Sequence, residues 1–141
     1  MRFFEGCTAL ITGASAGLVA EFARQLAPHA QTLVLLARRE DRLEALKEEL
    51  ETRSPRLKVF TYPIDLAEEN QLDSFVQWLA KEEIPVDFLI NNAGLGDHGS
   101  FEASDWNRIR AILQVNIAAL TKLTYLLLPA MRQSGRSAIL N

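Results

Sequence analysis

The residues able to do chemistry lie in short turns, not in clusters of acids, histidines or nucleophiles. The first turn is Thr12-Gly13-Ala14-Ser15-Ala16-Gly17-Leu18-Val19, between an apolar run, Cys7 to Ile11, and a helix-patterned stretch, Leu18 to Ala27. A helix start presents unsatisfied N–H groups and the positive end of its dipole, so a phosphate is stabilised there, and glycine lets the backbone approach it. Gly13, Ser15, Ala16, Gly17 and Leu18 are the candidate phosphate contacts, with Ser15 either bonding the anion or capping the helix. Arg38 and Arg39 form the second feature, either clamping a phosphate or opening a charged helix face with Glu40 and Asp41. Asp65-Leu66 is the third and Asn91-Asn92-Ala93-Gly94 the fourth. The asparagines there either bond the exposed backbone of neighbouring strand ends or contact a ligand. Asn116 interrupts an apolar helix face, and a buried amide must find partners.

The elements that position these residues alternate. Short apolar runs, Cys7 to Ile11, Thr32 to Ala37, Leu57 to Tyr62, Val86 to Ile90 and Ser137 to Asn141, read as five strands. Between them lie helices: one with Leu18, Phe22 and Leu26 on a stripe, one with Leu43, Leu46 and Leu50, and one with Leu72, Phe75, Val76 and Leu79. A long helix over 104–133 follows, with Ser104 as its N-cap and Pro129 to kink or end it. Alternation of this kind requires an α/β fold, a Rossmann-like doubly wound parallel sheet in strand order 3-2-1-4-5 that stops in or just after strand five. Ligands in such sheets lie at the carboxyl ends of the strands where the order reverses, which brings the Thr12 turn together with Asn91 to Gly94.

The Thr12 turn resembles the T-G-x-x-x-G-x-G turn of the short-chain dehydrogenase/reductase family, with Val19 where the third glycine stands. Asp65-Leu66, Asn91-Asn92-Ala93-Gly94 and Val115-Asn116 follow in the family's order, so the resemblance covers essentially the whole chain. It implies one dinucleotide-binding domain over 1–141, incomplete relative to the family, derived from an oxidoreductase acting on an alcohol or carbonyl. It places Asp65 and Leu66 beside the adenine, Asn92, Ala93 and Gly94 along the cofactor, and Asn116 in the catalytic group. Ala37 at the end of strand two, followed by arginines, favours NADP over NAD. The family's catalytic serine and Tyr-x-x-x-Lys pair are missing: Tyr62 lies in a strand and Tyr125 precedes Pro129 by four. Val19 crowds the first helix, the cofactor edge, or both. The expectation is an N-terminal half without turnover and with weak or no cofactor binding; the alternative is a ligand-free, self-associating scaffold.

Composition sets the remaining bounds. With 141 residues, 48% hydrophobic, the chain is long enough for one core. A net charge of −3 argues against nucleic acid. Two well-separated histidines without clustered carboxylates suggest no metal site. The single cysteine, Cys7, reads as core filler in the cytoplasm. No apolar run approaches the ~18 residues of a membrane span. The apolar long helix and the open strand-five edge point to a homodimer through one or the other.

Overall fold

In a computed structural model, residues 2–14 and 17–141 are described. Five strands, β1 (Thr8–Thr12), β2 (Thr32–Ala37), β3 (Lys58–Pro63), β4 (Phe88–Ile90) and β5 (Ala138–Leu140), form one sheet in the order β3-β2-β1-β4-β5. Every pairing is parallel, so each connection must cross over the sheet, and helices carry the crossovers. Helices α1 (Leu18–Leu26) and α2 (Glu40–Arg53) sit on one face and α3 (Glu69–Lys81) and α5 (Leu120–Met131) on the other, while α4 (Trp106–Leu113) buries no residue and leads into α5.

The central strands β1, β2 and β4 are apolar on both sides because both sides are covered. Ile11, Leu33 and Leu35 pack toward α1 and α2, while their neighbours Leu10, Val34 and Leu36 pack toward α3 and α5. On the first face Arg24 of α1 grips Glu49 of α2 with two bonds, Nε to Oε1 at 2.8 Å and Nη2 to Oε2 at 2.9 Å. That hydrogen bonding holds the Glu49 carboxyl below the usual carboxylate range. Cys7 is fully buried, and burial pushes its thiol up. It fills core.

Four local expectations are corrected. The buried stripe of α1 is Val19, Ala23 and Leu26, and Phe22 is exposed. Ala23 takes the inward position, and the Phe22 ring lies at the edge of the helix beside Leu26. β4 begins at Phe88, two residues later than expected, and just before it the Asp87 carboxylate accepts the Thr8 N–H at 2.8 Å. The N-cap of α4 is Asp105, whose side chain accepts from the Asn107 N–H at 3.3 Å, not Ser104. Finally, the continuous helical stretch Trp106–Ser134 contains an 18-residue window of mean hydropathy 1.5, which is long and apolar enough to cross a membrane by length and composition. Only 22% of that window is buried. Its inward side, Val115, Ala119, Leu123, Leu127 and Met131, packs on the sheet.

The carboxyl ends of β1 and β4 are tied by one hydroxyl. Thr12 Oγ1 accepts the N–H groups of Asn92 and Ala93, each at 3.0 Å, and donates to the Ile90 carbonyl at 3.4 Å. Next to it, Gly13 has φ +75°, and a Cβ there would stand 2.9 Å from Ala93 Cα. Glycine is required twice over, by the dihedral and by the approach. Replacing Thr12 by isosteric valine strands two N–H donors, so Thr12→Val is expected to cost about 2 kcal/mol. A lower guanidinium midpoint at unchanged slope checks this, and an unchanged midpoint refutes it.

Candidate functional site

A cleft of about 280 Å³ opens at the carboxyl ends of the strands, where the sheet order reverses between β1 and β4. One wall comes from the β1–α1 turn, with Gly13 and Val19; another from Ala37 and Arg38 after β2; a third from Ile64, Asp65 and Leu66 after β3. Asn92 to Leu95, with Val115 of the long helix, completes it. Three backbone bonds hold the strand ends in place around it: Ala14 N–H to Leu36 O at 3.0 Å, Ile64 N–H to Ala37 O at 2.9 Å, and Asn91 N–H to Leu140 O at 2.8 Å.

Gly17 occupies the N-cap of α1 with φ 63°, and having no side chain it contributes no cap to the first N–H groups of that helix. Those donors point toward the same end of the sheet as the cleft, which is the setting in which an anion is held. Leu18 is the first residue of α1. Ser15 and Ala16 lie outside the described residues. Val19 is buried, 3% exposed, and belongs both to the core under α1 and to the cleft wall. It therefore does two things at once: it anchors the helix and lines the α1 end of the cleft.

Arg38 lies exposed on the cleft rim, and among the described residues no carboxylate stands within 4 Å of its guanidinium. Arg39 is placed differently. It is the N-cap of α2, in extended conformation, and its carbonyl accepts the Leu43 N–H at 3.2 Å; it is not among the lining residues. Asp65 is fixed by its own loop: Oδ1 accepts the Ala67 N–H at 3.0 Å, and its N–H donates to Gln71 Oε1 at 2.9 Å. The neighbouring Leu66 is buried against the α3 side.

The Asn91-Asn92-Ala93-Gly94 turn divides its labour. Asn91 is buried and works as scaffold: Nδ2 donates to Thr124 Oγ1 at 3.1 Å and to Asn141 Oδ1 at 2.8 Å, joining β4 to α5 and to the end of β5. Its Oδ1 is buried without a partner, a cost of about 1–3 kcal/mol. Asn92 and Gly94 are exposed and face the cleft together with Ala93.

Asn116 lies in a π-helical segment, Gln114–Ala119, between α4 and α5. Its amide clamps the backbone of Leu95: Oδ1 accepts the Leu95 N–H and Nδ2 donates to the Leu95 carbonyl, both at 2.8 Å. This copies a strand ladder with a side chain and sets the loop that follows the asparagine turn. π-bulges of this kind mark functional segments in many helices. Sequence reasoning singled out neither Thr12 as the tie between β1 and β4 nor Leu95 as the anchor for Asn116. The signal for Thr12 was a hydroxyl residue at a strand end, where backbone groups need partners; nothing marked Leu95. Among the described residues no group of three or more His, Cys, Asp or Glu side chains is placed to hold a metal ion.

Comparison with known proteins accounts for this arrangement. The family model for short chain dehydrogenase matches residues 7–141. The ketoacyl reductase HetN of Nostoc is 35% identical over all of this chain and 48% of its own length. A short-chain dehydrogenase from Sphingobium yanoikuyae, solved with NADPH, superposes with a TM-score of 0.85 at 36% identity, covering 94% of this chain and 52% of that one. L-sorbose reductase from Gluconobacter frateurii, solved with NADPH and L-sorbose, superposes with a TM-score of 0.90 at 28% identity, covering 99% and 53%. The chain spans about half the length of these relatives. With the family's turn, its asparagine motif and its strand order in one sheet, the chain belongs to the short chain dehydrogenase family.

Proposed function

We propose that this chain holds the adenine and pyrophosphate side of NADP, as part of an oxidoreductase acting on an alcohol or carbonyl. The observation that carries this reading is Arg38, uncommitted to any carboxylate, on the rim of a cleft whose β2 end is Ala37. An acidic residue there would bond the ribose hydroxyls and repel a 2′-phosphate, whereas a guanidinium attracts it. The NADPH bound in the Sphingobium and Gluconobacter structures supports the same cofactor class. The residues that would hold NADP are Gly13 and the start of α1 at the pyrophosphate, Arg38 at the 2′-phosphate, Asp65 and Leu66 at the adenine, and Asn92 to Gly94 along its length. When bound, the cofactor supplies a hydride.

Val19 weakens that binding in our reading. Overpacking of about 1 to 3 kcal/mol corresponds to roughly 5- to 150-fold in affinity if it falls on the complex. Removing the side chain also removes buried surface and places glycine in a helix, so the effects on affinity and stability have opposite signs. The proton-transfer side is likewise missing from these 141 residues, since Tyr62 is part of β3 and Tyr125 stands exposed on α5 ahead of Pro129. We place the chain in the cytoplasm, without a nucleic-acid partner, on the strength of its charge and its one buried thiol. The outward side of the long helix, with Trp106, Leu113, Ile117 and Tyr125 exposed, favours a second protomer, because the inward side of the same helix packs on the sheet.

Titration of the tryptophan fluorescence with NADPH, NADH and 2′,5′-ADP tests the cofactor reading. NADPH and 2′,5′-ADP are expected to bind better than NADH, Arg38→Ala to erase the difference, and Val19→Gly to tighten NADPH by roughly 5- to 150-fold while lowering the melting temperature. No binding in any form would leave a ligand-free scaffold. In a carbonyl assay, NADPH oxidation is expected to stay at the buffer blank, and a rate that survives repurification refutes inactivity. Light scattering is expected to give a dimer that Leu113→Glu with Ile117→Glu converts to monomer; a monomeric parent chain rules out self-association.

A further inference from the structure

The edge of the sheet at β3 is closed by the chain's own side chains. β3 pairs with β2 alone, so one side of the strand turns its backbone groups away from the sheet, the arrangement by which a strand recruits another. Which groups those are follows from the ladder. Lys58 and Ile64 donate their N–H groups to the Gln31 and Ala37 carbonyls on the β2 side, at 3.0 and 2.9 Å. Direction alternates along a strand, so the N–H groups of Phe60 and Tyr62 also face β2. Those of Val59 and Thr61 face outward, as does Pro63, which has none.

Each outward position is handled differently. The Val59 N–H donates to Glu51 Oε1 at 3.0 Å. Glu51 belongs to the last turn of α2, and its carboxylate stands where the carbonyl of a neighbouring strand would stand. Thr61 keeps an open N–H among the described residues, while its hydroxyl donates to Glu44 Oε1, earlier on α2. Lys58, exposed at the start of the strand, sets its ammonium 4.5 Å from the centre of the Phe60 ring. Lysine and proline at the two ends are common means of blunting an edge.

The stretch so guarded is well suited to pairing. Val59-Phe60-Thr61-Tyr62 is β-branched or aromatic throughout and carries no charge. On the α3 side the rings of Phe60 and Tyr62 stand 5.9 and 5.1 Å from that of Trp78, an aromatic surface beside any added strand. The strand is also complementary to itself. In an antiparallel pair with its two-fold axis at Phe60, Val59 of one copy faces Thr61 of the other, and these residues exchange both N–H and C=O groups. A second copy thus satisfies both outward donors, and Glu51 excludes it by holding one of them.

We propose that Glu51 is an autoinhibitory latch on β3: its carboxylate occupies the outward Val59 N–H, and releasing it lets β3 pair antiparallel with β3 of a second copy of this chain. Neither Glu51 nor Val59 lines the cleft, so the proposal stands independently of which cofactor binds.

The test is Glu51→Ala in the full chain, with its fold followed by circular dichroism. In dilute solution the Val59 amide is expected to exchange about tenfold faster than in the parent. At rising concentration, light scattering is expected to show the molar mass doubling relative to the parent, so that association through the long helix cancels from the comparison. Glu51→Gln keeps an acceptor oxygen and is expected to behave as the parent. Thr61→Pro removes the open donor and leaves the β2 ladder intact, because that N–H points outward. Added to Glu51→Ala, it is expected to restore the parent mass. Glu51→Ala at the parent mass, or a heavier species that Thr61→Pro leaves unchanged, overturns the proposal. So does loss of the fold in Glu51→Ala, since that makes Glu51 a stabilising contact and not a latch.

Discussion

The whole arrangement depends on how closely β1 and β4 approach at their carboxyl ends. These strands are neighbours in the sheet although β2, β3 and three helices separate them in sequence. Two devices hold them: the Thr12 hydroxyl bonds three backbone groups of the β4 end, and Gly13 lets the turn come within contact of Ala93. The cleft is the space left above that junction. Widening the junction would separate the β1 turn from the asparagine turn and leave two half-sites facing different directions.

Around this junction polar side chains take the place of backbone pairing wherever the strands run out. Asn91 ties β4 to β5 and to α5, Asp87 takes the Thr8 N–H, and Asn116 holds Leu95 by both its backbone groups. Each acts where a short strand or a loop would otherwise leave buried donors and acceptors unsatisfied, the condition under which a side-chain bond is worth most. β4 has only three residues, so its position owes as much to these amides and carboxylates as to its ladder. On the outside of the molecule, Lys122 of α5 reaches Asp73 and Glu69 of α3 at 2.8 and 3.4 Å, an exposed pairing that adds little.

The sheet is readable from sequence because its central strands are buried on both faces and so appear as apolar runs. Thr32 to Ala37 is the clearest case, and the structure gives β2 those bounds. The helix faces were less readable. Hydrophobic spacing favours bulk, and so Phe22 was assigned inward, but the inward position went to Ala23 and the ring to the edge of the helix. Caps shifted by one residue because Ser104 and Asp105 are both good caps and only the three-dimensional entry of the chain chooses between them. The site was legible in its parts and not in its connections. Asn116 was marked as needing partners, yet its partner lies 21 residues away in a loop with no distinguishing composition. The long helix was marked as apolar, but its unburied share depends on which side the sheet occupies.

The parallel topology has a consequence for how the chain acquires its fold during synthesis. β1 leaves the ribosome with β2 and β3 soon behind it, so one half of the sheet assembles from near neighbours. On its other flank, β1 must wait for β4, whose register pairs Ala9 with Phe88. Until then the apolar edge of β1 and the Thr12 hydroxyl face solvent, and non-local pairing of this kind is slow and exposed to wrong partners. The sheet beside β1 is thus complete only once residues Phe88 to Ile90 are made.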